Sequence, residues 1–451
     1  MTQQKDKTIT GFSKLSKRGK IKWIVENFFQ HPETVMRELK SYWLANEDHQ
    51  KILDGISENT ISNYHLPYGV APNFVINGKT YAVPMVTEES SVVAAASSAS
   101  KFWLSRGGIH AEVIGTVKLG QVHFFFRGKK STIVGCLPAL REYLHEHTQD
   151  LTANMRKRGG GVLDIQLKDF THQMPDYYQL LVSFETCDSM GANFINSVLE
   201  RYAQSLGHFF HEVLGVPEDQ VEVLMSILSN YTPDSLVRAW VECPVEELGE
   251  FKGGIGPREF ATRFCHAVRI AEIDTYRAAT HNKGIFNGID AVVIATGNDF
   301  RAIEACGHAY AVRDGQYRSL SGCEVKEGIF RFWLEVPLAV GTVGGLTSLH
   351  PIAKRSFELL GNPTASELMM IIGAVGLAQN FSALRSLVTT GIQDGHMRMH
   401  LSNILVKLNA SAEEADATRA HFADKQVSYQ AVRDYLMTLR EPATKGQIQT
   451  P

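Results

Sequence analysis

The order of apolar and turn signals predicts an α+β protein: a large mixed α/β domain, an inserted ferredoxin-like (βαββαβ) unit and a C-terminal helical part. Three observations carry this. Between about 116 and 228 the segments run strand, helix, strand, strand, helix, strand, which is the split arrangement, and mixed segments flank it on both sides. Ser366 to Val388 is a long, Ala-rich, mostly apolar helix, which belongs in a core. The last sixty residues are amphipathic and charged, as a surface subdomain would be. At 451 residues the chain exceeds one ordinary core. The expected parts are 1–115 and 229–390 for the large domain, 116–228 for the insertion and 391–451 for the tail.

Residues 1 to about 10 are polar and expected to be loose. Helical periodicity follows from Lys20 to Ile61, with Ile21, Trp23, Ile24, Phe28 and Phe29 on one face and Val35, Leu39, Trp43 and Leu44 on another. Asn77-Gly78 marks a tight hairpin turn, Tyr81–Val86 a strand, and Ser90–Trp103 an Ala-rich helix. In the insertion, the strands are Gln121–Phe126, Val162–Leu167, Tyr177–Phe184 and Val221–Leu228, and the helices Pro138–Met155 and Met190–Leu214, the second closed by Gly215. Beyond Arg238 come helices at Glu259–Glu272 and Phe300–Val312. A hairpin turns at Lys326-Glu327-Gly328, and Gly341–Thr347 is a Gly-rich loop. A helix at His350–Leu360 precedes the long apolar one. The tail holds helical pieces at Met397–Leu408, Ala412–Phe422 and Tyr429–Leu439, after a break at Gly391–His396.

One stretch does not fit a simple surface or core element. Asp274 to Asp299 sets Arg277, His281, Asn282, Lys283, Asn287, Asp290, Asn298 and Asp299 among Ala, Gly, Ile and Val. Charges beside small residues read as a buried polar site, because unpaired buried charge is costly and small residues let backbones approach. A salt-bridged helix packed on a neighbour is the plainer reading. Thr87-Glu88-Glu89-Ser90 sits at a strand-to-helix junction, where a carboxylate also suits a helix start.

Other chemistry is excluded by absence. The net charge of −3 and the short basic clusters do not suggest nucleic-acid binding. Apolar runs such as Leu368–Ala378 fall short of a membrane span, and the N-terminus lacks a signal-peptide core. The six cysteines are scattered without a CxxC pair, so small buried residues in a reducing, cytoplasmic setting are expected. His208 and His211, three apart, make no zinc signature, and no metal is expected. There is no G-x-G-x-x-G, P-loop or G-x-S-x-G.

With these residues in view, the chain resembles the 3-hydroxy-3-methylglutaryl-coenzyme A (HMG-CoA) reductase family, of the soluble bacterial class II kind. The resemblance spans about Glu58 to Leu408. It rests on Glu88-Glu89-Ser90-Ser91-Val-Val-Ala-Ala-Ala-Ser, Asp188-Ser-Met-Gly-Ala-Asn193, Tyr276-Arg-Ala-Ala-Thr-His-Asn-Lys-Gly, Ala295-Thr-Gly-Asn-Asp299, Val343-Gly-Gly345 and Gly395-His396-Met397. The sequence departs at Glu58-Asn-Thr-Ile-Ser62, and at Ser90 where the family often has Pro. The resemblance implies a large domain for the acyl-CoA, a small one for nicotinamide and a C-terminal flap. It implies two hydride transfers that yield mevalonate and free coenzyme A.

Residue roles follow from the same matching. Lys283 is the expected oxyanion stabiliser, Asp299 its tuning neighbour, Glu89 the proton donor to the second oxygen, and His396 the acid for the departing thiolate. Arg277 is expected at the substrate carboxylate, with Ser91, Asn230 and Asn287 donating hydrogen bonds. Asp188, Met190, Gly191 and Asn193 are expected at the nicotinamide and phosphates, by a helix start. Asp164 implies NADH over NADPH, since an acid accepts from a ribose 2′-OH and repels a 2′-phosphate. The implied unit is a homodimer sharing its site, with hexamers in this class; HMG-CoA and mevalonate are the small-molecule partners. Oxidative use of the same enzyme in mevalonate degradation, or a non-catalytic binding protein on the same fold, are the alternatives.

Overall fold

The computed structural model describes residues 7–389, 391, 401–423, 425 and 427–440. Three short helices open it: α1 (Lys17–Phe28), α2 (Pro32–Ser41) and α3 (Glu47–Asp54). Strands β1 (Tyr68–Ile76) and β2 (Lys79–Val86) then form an antiparallel hairpin on Asn77 and Gly78, both at positive φ. Helix α4 (Val92–Leu104) packs on β1.

A second sheet begins with β3 (His110–Val113). It pairs with β8 (Leu236–Pro244), then β10 (Ile329–Pro337), then β9 (Ser321–Lys326), all antiparallel. Between β3 and β8 the chain leaves to build a separate unit. That unit holds β4 (Lys118–Phe126), α5 (Lys130–Glu146), α6 (Gln149–Lys157), β5 (Gly161–Asp169), β6 (Tyr177–Glu185), α7 (Ala192–His208) and β7 (Val221–Ser229). Its sheet runs β5-β6-β4-β7, antiparallel throughout, and it has its own core around Val122, Phe124, Leu180 and Leu199.

Helices α8 (Pro257–Ile273), α9 (Thr275–Ala295) and α10 (Phe300–Ala311) return to the large domain. A short turn, α11 (Leu346–Leu349), and α12 (Pro351–Leu359) lead to α13 (Ala365–Val388). A capping box of Thr364 and Glu367 starts α13. Of the described helices, it alone is long and apolar enough to cross a membrane, yet 83% of its most apolar window is buried inside the fold. It touches α4, α8, α9 and the sheet, which makes it the axis of the main core. Glycine sets how closely α9 approaches it. A Cβ on Gly288 would lie 2.8 Å from Gln379 Cβ, and one on Gly376 would lie 2.8 Å from Ile289 Cγ1. Helices Ala412–His421 and Tyr429–Arg440 enclose a third, small core around Val432 and Leu436.

Several elements differ from expectation. Helix α5 starts at Lys130, with Pro138 inside it, and the break falls at His147–Thr148 instead. Strands β3 and β8 carry no assignment from sequence, although Val237, Ala239, Val241 and Cys243 alternate buried along β8. Cys265 and Cys323 form a disulfide, not separate thiols, because α8 packs on β9 and brings their Cα atoms to 5.2 Å.

Candidate active site

Helix α9 supplies the centre. Lys283, Asn287, Asp290, Ala291 and Ile294 follow helical spacing, so they share one face, and all line a cavity of about 1340 Å³. The opposite walls come from residues 56–66, Val86–Glu89, Asn298 and His350. Lys283 Nζ donates to Glu89 Oε2 at 2.5 Å. In the structure the Glu89 carboxylate pairs with this lysine. The turn before it is pinned by Glu89 N–H donating to Thr87 Oγ1 at 3.0 Å. Two residues on, Ser91 holds φ +74 at the start of α4, a strained conformation of the kind that gathers at functional sites.

Deeper on the same face stands Asp290. Burial, then the carboxylates of Glu304 and Glu88, hold its carboxyl protonated well above the usual range. Its Oδ1 has no hydrogen-bond partner among the described residues. Glu88, Asp290 and Glu304 all line the cavity. Glu304 and His350 were not legible as cavity residues, since the sequence shows only ordinary helical positions for both.

The second unit docks beside this cavity. Asn298 lines the cavity and its Oδ1 accepts from Gly341 N–H at 2.8 Å. A Cβ on Gly341 would lie 2.3 Å from Met190 N, so only glycine fits there. Asp188 joins the contact: its carbonyl accepts from Thr342 N–H at 2.8 Å, and its Oδ1 accepts from Ala365 N–H, at the start of α13, at 2.7 Å. One carboxylate oxygen of Asp188 is thus committed to holding two units together. Past it, Gly191 begins α7 at φ +89 with no side-chain cap on the helix, just ahead of Asn193. Under this turn Lys118 is 4% exposed, and its ammonium makes no hydrogen bond or ion pair among the described residues. Burial pushes its ammonium down, against Glu185 and Cys187. A buried cation and uncapped helix N–H groups together suit the phosphates of a dinucleotide.

The remaining expected residues are more scattered. Asp299 caps α10, its Oδ1 accepting from Arg301 and Ala302 N–H at 3.1 and 3.2 Å. No ion pair joins it to Lys283 among the described residues. Arg277 is half-buried off the cavity wall, and burial pushes its guanidinium down. Its side chain forms no ion pair or hydrogen bond among the described residues. Asn230 is exposed in the link between β7 and β8. Asp164 lies on edge strand β5, where Gln166 Nε2 donates to Oδ2 at 2.9 Å and Arg141 stands 3.5 Å away. Gln166 above all, with Ile165 N–H and Arg141, holds its carboxyl below the usual range. His396 lies outside the described residues.

A lysine and a carboxylate in contact at the wall of a large cavity fit the class of enzymes that move charge or protons on a bound organic molecule. A family model described as Hydroxymethylglutaryl-coenzyme A reductase matches residues 21–401. The chain belongs to that family. It is 36% identical over 409 residues to 3-hydroxy-3-methylglutaryl-coenzyme A reductase of Archaeoglobus fulgidus, covering 90% of this chain and 89% of that one. It is 32% identical over 419 residues to a probable member from Borreliella burgdorferi, covering 91% and 92%. A solved class II enzyme from Streptococcus pneumoniae, bound to NADPH in open conformations, superposes with a TM-score of 0.68 at 37% identity, over 91% of this chain and 99% of that one.

Proposed function

We propose that the protein reduces HMG-CoA to mevalonate and coenzyme A, with Lys283 and Glu89 at the reacting carbon. The Lys283–Glu89 contact at the cavity wall, in a chain of this family, is the observation that carries the reading. A bound reduced nicotinamide supplies the hydride for each reduction. Lys283 offers its ammonium to the oxygen on which negative charge develops, which stabilises that charge by electrostatics in a partly closed cavity. Glu89, hydrogen-bonded to that ammonium, takes up a proton from solvent before the second reduction and gives it to the oxygen there. Asp299, next in sequence to cavity-lining Asn298, caps α10 and anchors the end of that segment. His396 protonates the leaving thiolate. Arg277, half-buried and unpaired, takes the substrate carboxylate in its planar fork, with Ser91, Asn230 and Asn287 assisting.

The 116–228 unit is read as the ferredoxin-like cofactor domain, inserted between 1–115 and 229–390, with 391–451 as the flap. Its βαββαβ order, antiparallel sheet and separate core support this. Met190, Gly191 and Asn193 would hold the cofactor at the start of α7, with Asp188 locking that turn to α13. NADH is preferred over NADPH: the charged Asp164 on an exposed edge repels a 2′-phosphate. The relative from S. pneumoniae carries NADPH, so the preference hangs on Asp164 itself. The protein is read as a homodimer. Exposed Ile270, Ile273 and Tyr276 beside Arg277 support a second copy there.

The test is direct. Purified protein is mixed with HMG-CoA and either reduced nicotinamide, and absorbance is followed. Substrate-dependent oxidation, faster with NADH, is expected. No oxidation with either cofactor refutes the reading; faster NADPH oxidation refutes only the preference.

A further inference from the structure

His281 stands on α9 one turn beyond Arg277, so the two side chains share a face. Its ring is 2% exposed. Nε2 lies 2.6 Å from Ser321 Oγ, and that hydroxyl donates to Asn380 Oδ1 at 2.8 Å. The neighbouring Ser319 hydroxyl donates to the Ser321 carbonyl at 2.8 Å. Ser321 has one hydrogen, and Asn380 takes it. The ring must therefore donate through Nε2–H, which leaves Nδ1 as a bare acceptor. Nδ1 is buried with no hydrogen-bond partner among the described residues. Burial, and then the charge of Arg277, push the imidazole down to about 3. The ring stays neutral at any working pH, and its Nδ1 lone pair stays available.

One turn earlier on the same face is the Arg277 guanidinium, with five N–H donors and no hydrogen bond among the described residues, to Nδ1 included. Buried acceptors rarely go unpaired in a native fold. We infer that His281 is a positioning residue: once substrate is bound, its Nδ1 takes one N–H of Arg277 and sets the plane of the guanidinium for the substrate carboxylate. Ser321 on β9 and Asn380 on α13 anchor the ring, so the arginine is referenced to the core through two further elements. This rests on the reading that Arg277 holds that carboxylate.

Four variants test it: Arg277→Ala, His281→Phe, the double variant, and Ser321→Ala as a milder cut of the same chain. The readings are KM for HMG-CoA, KM for the nicotinamide, kcat and the thermal midpoint. His281→Phe is expected to raise KM for HMG-CoA about tenfold, with kcat and the nicotinamide KM within about twofold, as lost uniform binding does. The double variant is expected to match Arg277→Ala, because His281 acts only through the arginine. Ser321→Ala is expected to raise the same KM about threefold, which keeps the test alive if His281→Phe does not fold. If Arg277→Ala raises KM while His281→Phe and Ser321→Ala leave it unchanged, the inference fails and the reading of Arg277 stands. If the two losses multiply in the double variant, His281 acts independently and the inference fails. If Arg277→Ala leaves KM unchanged, both fall.

Discussion

Lys283 and Glu89 touch at 2.5 Å, yet both keep part of their surface open to the cavity. An exposed pair of this kind contributes only about 0–1 kcal/mol to stability, so removing it should cost chemistry and not the fold. Glu89→Gln keeps the shape but has no acid proton to give. Its kcat should fall about 10²-fold or more while KM for HMG-CoA changes little, by steady-state kinetics. A smaller loss than fivefold would remove the proton-donor role. Asp290 makes a prediction in pH. Its folded carboxyl titrates above its unfolded value, so the folded state holds the extra proton. The stability this brings is full below about pH 4, the unfolded range, and is lost as pH rises through the raised folded value. Asp290→Asn cannot ionise. The midpoint difference, variant minus parent, should therefore climb from pH 4 to pH 8 in melting experiments. A flat difference would show that Asp290 ionises normally.

At the scale of elements, the site depends on how α9, α13 and the 341–345 loop meet. Gly341 faces Met190 N with no room for a methyl group. Gly341→Ala should push the 188–191 turn away and raise the nicotinamide KM, by about tenfold, with a smaller effect on HMG-CoA KM. Equal changes in both would mean that the loop serves the fold in general. The long helix α13 was legible by its uniform apolarity, whereas the α9 stretch read as a buried polar site from charges set among small residues, with a helix only as its plainer reading. Strands β3 and β8 were not assigned, because Arg238, Trp240 and Glu242 interrupt the apolar run on their outward face. Pro138 reads as a helix start but sits inside α5. The role of Asp299 as the cap of α10 depends on where a helix begins after Gly297-Asn298, and Asp188 grips the α13 N-terminus across 177 residues of sequence. No local pattern reports either contact.

The whole molecule has separate cores joined near one cavity, and the residue types of the site come from distant parts of the chain. Glu89 and Lys283 lie 194 residues apart. Motif matching therefore found the pair, where spacing alone left Glu89 as a helix cap. Cofactor choice belongs to this scale, because Asp164 sits on the outer edge of the second unit, away from the cavity. Asp164→Ala should shift the NADH to NADPH ratio of kcat/KM toward NADPH by about tenfold or more, leaving KM for HMG-CoA unchanged. An unaltered ratio would move the preference elsewhere.

The most direct measurement compares the parent with Lys283→Ala under saturating HMG-CoA and reduced nicotinamide. The parent should oxidise two nicotinamides for each HMG-CoA consumed. The variant, melting within a few degrees of it, should turn over at least about 10²–10³-fold more slowly. A folded Lys283→Ala protein that retains turnover near the parent rate would contradict the role given to this lysine.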